Sequence, residues 1–144
     1  MTLESDMILI EAAPDNLDAD GLRSKLDIDR CGSIVSFVGI VRGEENGVEV
    51  HQLEFDAWQE KLPDTLHDLA QQAIDKFGVR SVAMSHRTGI VLPGEEIVCI
   101  HVSSPHRKEG FTACAWLIDE LKKQAPLWKK EVRADGVLWK EGLG

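Results

Sequence analysis

The sequence contains no tyrosine and only three cysteines, Cys31, Cys99 and Cys114, with no Cys-x-x-Cys pair among them. That spacing excludes the paired-thiolate zinc motifs. An odd cysteine count behind a start with no export signal predicts reduced, buried thiols. The start itself, "MTLESDMILIE", is acidic where a secretion signal needs a basic opening. The longest apolar runs, such as "IVCI", fall far short of the roughly 20 residues that cross a bilayer. A cytoplasmic protein with no membrane partner is therefore expected. There is no Walker loop and no GxGxxG, which removes the common nucleotide-binding loops. Positive charge is also scarce: 16 Lys and Arg face 25 Asp and Glu, for a formal net charge of −9. Such a surface repels nucleic acid. At 144 residues the chain is expected to form one domain over its whole length.

Against this background the segment "LKKQAPLWKKEVR", Leu121 to Arg133, stands out. It carries five basic residues and one acid, so its charge of +4 leaves −13 for the rest of the chain. A cationic patch on an acidic body suits a small anionic ligand or a partner with an acidic face.

The order of elements reads β-α-β-β-α-β-β-α-β-β. "MILIEAA" is a first strand, and "DNLDADGLRSKL" a short helix with Leu17, Leu22 and Leu26 at helical spacing. "CGSIVSFVGIVRG" reads as a strand with a bulge or turn at Gly39. After a turn at "EENG", "VEVHQLEFDA" is expected to pair back on it as a hairpin. Leu62, Leu66, Leu69, Ala73 and Phe77 mark an amphipathic helix with Pro63 in its first turn. "RSVAMSHRTG" and "EEIVCIHVSS" are two further strands joined across "LPGE". The last helix is expected from about Pro105 to Gln124, with Phe111, Cys114, Leu117, Ile118 and Leu121 buried, and Pro126 beyond its end. "EVRADGVLWKEG" reads as a closing hairpin around "ADG". The pattern predicts an α+β fold with mostly antiparallel strands.

Few stretches can carry chemistry. In "SSPHRKEG", Ser104 suits an N-cap and Pro105 the first helical position. His106 and Arg107 add donors where free N–H groups and the helix dipole already attract anions. The plain alternative is an ordinary Ser-Pro helix start with exposed first-turn residues. Lys122 lies four residues from Ile118, at the edge of the apolar face, and Lys129 follows the "APLW" turn. A partly desolvated lysine among other cations acts as acid, base or nucleophile near neutral pH. A lysine in a last helical turn also serves simply to complement the dipole. Arg42 ends its strand three residues after Gly39, and alone reads as a strand-end arginine. His86, His101 and His106 with Cys99 and Cys114 lack zinc-type spacing, so no metal and no cofactor is expected. Trp116 and Trp128 read as packing around the last helix, with Trp128 placed to line a pocket beside Lys129.

Taken in order, "FVGIVR", "LEFDAW", "HRTGIVLPGEEIV", "SSPHR" and "LKKQAPLWKKE…DGVLWKEG" resemble the large, catalytic subunit of molybdopterin synthase, from about residue 7 to 142. The resemblance implies an α/β hammerhead-type fold with two main helices and a short N-terminal one. It implies a sulfurtransferase that inserts two sulfurs into a cyclic pyranopterin monophosphate to make the molybdopterin dithiolene. The sulfur comes from the C-terminal Gly-Gly thiocarboxylate of a small ubiquitin-like subunit. The implied assembly is a homodimer within a heterotetramer. By the same resemblance, the catalytic lysines fall on Lys122 and Lys129. The substrate-binding positions fall on Ile40, Val41, Arg42, His106 and Arg107, with Lys122, Lys129, Lys130 and Glu131 completing the pocket. Lys122 is expected nearest the incoming thiocarboxylate, with Lys129 on the pterin. The chain departs from the family's habit at Phe55 and Trp58, where tyrosine is frequent, at Pro63, at Arg133, and in its short "KEGLG" tail.

Two other classes compete. A non-catalytic dimeric module would dock a ubiquitin-like tail without binding pterin. A phosphometabolite hydrolase or transferase would need a metal or an activated nucleophile, and the sequence offers neither in convincing form.

Overall fold

The computed structural model describes residues 2–4 and 7–141. Thirteen elements follow one another among them: β1 (Thr2–Glu4), β2 (Ile8–Ala12), α1 (Ala19–Ser24), β3 (Ser33–Ile40), β4 (Glu44–Glu45), β5 (Val48–Ala57), α2 (Leu62–Phe77), β6 (Ser81–His86), β7 (Gly89–Val91), β8 (Glu96–Ser104), α3 (Arg107–Gln124), β9 (Leu127–Arg133) and β10 (Gly136–Glu141). They build two sheets. The first runs β1-β2-β6-β8-β3, antiparallel except for the β2–β6 pair. The second runs β10-β9-β5-β4, with β7 also on β5, and all of its pairings are antiparallel. The α+β class with mostly antiparallel strands is thus as expected.

The main core lies where α2 and α3 cover one face of the first sheet. Leu62, Leu66, Leu69 and Ala73 of α2 and Leu117 and Leu121 of α3 meet Ile10, Met84, Ile100 and Val102 of the strands. Burial of this kind stabilises by about 1.5–3 kcal/mol per large apolar side chain. The amphipathic stripe of α2 is the one the sequence predicts, with Pro63 in the first turn. Gly78 closes α2 in the left-handed conformation at φ 70°, which glycine adopts without steric cost. On the opposite face α1 is pinned by Leu22, against Leu9, Ala83 and Cys99. Strand β6 is covered from both sides, and all six of its residues are buried.

Four expectations need correction. Strands β3 and β5 form no hairpin, because β3 pairs along its length with β8 while β5 belongs to the second sheet. The register shift between Gly39 and Ile40 turns the chain out of the first sheet. Val41 then packs with Val50, Leu53, Phe55 and Val91 in the second sheet's own core. The hairpin that forms at "EENG" is β4–β5. The N-cap of α3 is His106, not Ser104, whose hydroxyl donates instead to the His106 carbonyl at 2.8 Å. Phe111 is not buried: it is 61% exposed on the outer face of α3. Cys99 and Cys114 are buried free thiols, but Cys31 is only half-buried. Three strands have no counterpart in the sequence reading: β1, the two-residue β4 at "EENG", and β7 between β6 and β8. Among the described residues no helix is long and apolar enough to cross a membrane.

Candidate active site

Several elements meet at one place. The bent end of β3, the last turn of α3 and the paired strands β5 and β9 surround a cavity of about 390 Å³. Part of its wall is apolar, with Phe37, Val50, Leu53, Phe55, Ile97 and Leu121. Arg42, Lys122 and Lys129 bring three cations to it, and Glu45 and Glu131 two acids. An apolar enclosure with a few convergent charges is the usual form of a small-molecule site.

Local structure explains each charged side chain. Gly39 permits the end of β3 to approach β8 closely, since a Cβ there would stand 2.7 Å from Val98 Cγ1. The register shift that follows carries Ile40 to the cavity and Arg42 to its exposed mouth. Val41 lies behind the wall, donating its N–H to the Glu95 carbonyl at 3.0 Å. On α3, Ile118 and Lys122 are one helical turn apart, so both reach the cavity while Lys123 does not. Lys129 sits on β9, opposite Phe55 on β5 and Lys140 on β10.

Beneath these cations lies a buried carboxylate. Glu131 is 1% exposed. Its Oε1 lies 3.4 Å from Lys140 Nζ and 3.7 Å from Lys129 Nζ, and its Oε2 lies 3.9 Å from Arg133. Lys140 also reaches Glu45 at 3.9 Å. Burial, chiefly, holds the Lys129 ammonium below the usual lysine range, and the charges of Lys140 and Lys122 push the same way against Glu131 and Glu45.

The other residues expected here fall elsewhere. Lys130 projects from the opposite face of β9, paired with Glu54 at 3.6 Å and lying over the Trp139 ring. His106 and Arg107 are exposed at the far end of α3. Arg107 and Lys122 are fifteen residues apart on one helix, about 22 Å along its axis. The tail at Gly142–Gly144 lies outside the described residues. Two of the three histidines considered as ligands are already engaged: His86 Nδ1 donates to the Arg87 carbonyl, and His101 bridges Ser36 and the Ala19 carbonyl. Burial pushes the Cys99 and Cys114 thiols up to about 12 and about 11, which keeps both protonated. Among the described residues no three such side chains cluster as metal ligands.

Glu45 and Lys140 escaped the sequence reading, and His86 was weighed there only as a metal ligand. Lys140 left a signal. Once the turn at Ala134 and Asp135 sets Arg133 opposite Gly136, Lys129 must face Lys140. Glu45 left none, since its approach to Glu131 depends on how β4 and β9, separated by β5, come together within the second sheet.

Comparison with known proteins agrees with this architecture. The model of the MoaE protein family matches residues 12–124. The molybdopterin synthase catalytic subunit of Pyrococcus abyssi is 40% identical over 111 residues, covering 77% of this chain and 75% of the relative. The one from Bacillus subtilis is 33% identical over 123 residues, covering 85% and 78%. Among solved structures, molybdopterin synthase from Staphylococcus aureus superposes with a TM-score of 0.85 at 28% identity, over 96% of this chain and 99% of that one. A complex of subunits 1 and 2 of molybdopterin-converting factor from Helicobacter pylori does so with a TM-score of 0.74 at 25% identity, over 92% and 90%. With the family model spanning most of its length, the chain belongs to the MoaE protein family.

Proposed function

We propose that the chain is the catalytic subunit of a molybdopterin synthase, a sulfurtransferase acting on a cyclic pyranopterin monophosphate. The observation that carries this reading is the convergence of Arg42, Lys122 and Lys129 on one partly apolar cavity. The reaction brings together two anions, a cyclic phosphate and a thiocarboxylate. Cations in a partly desolvated site lower the cost of that approach. The apolar part of the wall, with Phe37 and Phe55, suits the flat pterin. Lys122, at the exposed side of the cavity, orients the thiocarboxylate of a ubiquitin-like partner's C-terminal Gly-Gly tail and stabilises charge during acyl transfer. Lys129, deeper and with a lowered pKa, contacts the pterin and serves as general acid as its ring opens.

His106 and Arg107 join this site through a second copy of the chain. One outer face of α3 carries Arg107, Phe111, Ala115, Ile118 and Lys122 at three- and four-residue steps. A two-fold antiparallel contact along that face sets the partner's Arg107 beside Lys122. The His-Arg pair then meets the phosphate in trans, within a homodimer that takes one small subunit at each end. The whole chain acts as one domain, in the cytoplasm; the free thiols support the latter.

The test mixes the purified protein with the pyranopterin phosphate and a thiocarboxylated small subunit. Dithiolene product is the expected result. A stable complex without product would instead select the docking module, and turnover without the partner a phosphometabolite enzyme.

A further inference from the structure

We propose that Lys140 is a positioning residue for the site: set opposite Lys129 across the β9–β10 ladder, it clamps the buried Glu131 carboxylate and leaves the Lys129 ammonium free to face the cavity. The inference rests on the function proposed above for its meaning, but on geometry alone for its content.

Glu131 is the problem that Lys140 solves. Its Oε1 takes the contacts of Lys140 and Lys129, while its buried Oε2 has no hydrogen-bond partner and only Arg133 nearby, at 3.9 Å. A buried carboxylate in that state is costly unless cations surround it. Lys140 makes the shortest of its three ion pairs, at 3.4 Å, and a second contact to Glu45 at 3.9 Å. Lys129, at 3.7 Å, is the looser partner. Lys140 does not line the cavity, whereas Lys129 and Glu131 both do. Were Lys140 neutral, Glu131 would turn to Lys129 for its counter-charge, and the ammonium that should meet substrate would be tied to the wall.

Charge adds to geometry. The groups facing Lys129 are Glu131 on its own strand, Lys140 on β10, Glu45 on β4 and Lys122 on α3. Arg42 and His86 also line the cavity, and burial keeps His86 neutral, pushing its pKa down to about 4. Of the two like charges that act on Lys129, Lys140 has the larger effect and Lys122 the smaller. Removing Lys140 strengthens the hold of Glu131 on Lys129 and removes a repulsion, and both effects raise the Lys129 pKa.

The experiment is competitive acylation of the intact protein by an amine-reactive reagent across a pH series, with Lys129 modification read by mass spectrometry. It needs neither substrate nor partner. Lys140→Met is expected to raise the Lys129 half-labelling pH by about half to one unit, slowing its labelling three- to tenfold at a fixed pH below the midpoint. Lys140→Arg, which keeps the charge, should stay within about twofold of the unmodified protein. Lys140→Gln provides the same readout if the methionine variant does not fold. A wild-type midpoint in a folded neutral variant would overturn the proposal, as would equal shifts in the arginine and neutral variants. In the sulfur-transfer assay, the alkaline limb of the Lys140→Met rate profile should move up with the labelling midpoint. A shifted midpoint in a protein that transfers no sulfur would leave the positioning role standing and sink the proposed function. Sulfur transfer with an unmoved midpoint would do the reverse.

Discussion

The rings of Phe55 and His86 meet edge to face in the cavity wall, with centroids 5.1 Å apart. His86 is 1% exposed, and burial pushes its pKa from 6.5 down to about 4. The folded state therefore refuses a proton that the unfolded chain accepts. Above pH 6.5 neither state binds it and stability is unaffected. As pH falls from 6.5 to about 4 the unfolded state gains, and the loss totals roughly 3 kcal/mol before levelling. His101, also depressed by burial, acts with the same sign. Urea unfolding at pH 7.5 and 4.5 should show this loss, and His86→Gln should remove most of the dependence in that window. Parallel pH profiles for the two proteins would refute the assignment.

Lys122 and Lys129 should separate function from stability. Lys122 is exposed and Lys129 half-buried, and neither belongs to the apolar core. Lys122→Ala is expected to slow sulfur transfer at least a hundredfold while shifting the melting temperature by no more than about 2 °C. Lys129→Ala should also weaken pterin binding, as seen in KM or in direct titration with the substrate. Unchanged transfer in Lys122→Ala would remove it from the role given above.

Gly39 offers a test of shape. A methyl group there would meet Val98 Cγ1 at 2.7 Å, and both residues line the cavity. Gly39→Ala should destabilise by about 1–3 kcal/mol and reduce turnover through overpacking. Val98→Ala, on its own a cavity-forming change, should recover part of both losses when combined with it. A double-mutant cycle of unfolding free energies reads the coupling, expected favourable and above 0.5 kcal/mol. Strict additivity would show that the contact does not restrict the site.

Periodicity made the helices and most strands legible. The stripe from Leu62 to Phe77 and the "ADG" turn are local signals, and local physics decides them. The partnership of β3 was not legible, because pairing with β8 rather than β5 is a choice between distant segments. Phe111 misled for a related reason. Its spacing fits the apolar face of α3, but Gly110 takes the inward position, where a Cβ would already stand 3.1 Å from Val35. At the site, Lys122 and Lys129 drew notice as charges out of place in an acidic chain. Lys140 and Glu45 look ordinary until tertiary structure wraps them around Glu131, and resemblance to a family does not single them out.

The fifteen-residue separation of Arg107 and Lys122 along α3 leads to the most discriminating prediction. If the His-Arg pair acts in trans, two inactive proteins should complement each other. Arg107→Ala and Lys122→Ala homodimers, each inactive, are mixed under conditions that exchange subunits. Each heterodimer then holds one site with Lys122 from one chain and Arg107 from the other, both intact, and one site lacking both. With random exchange, half of the dimers are mixed and half of their sites work, so about a quarter of wild-type activity should return. A pair acting in cis leaves every site damaged, and mixing restores nothing. Mass spectrometry of differently tagged chains verifies the exchange, so absence of recovery among confirmed heterodimers would refute the two-fold arrangement of α3.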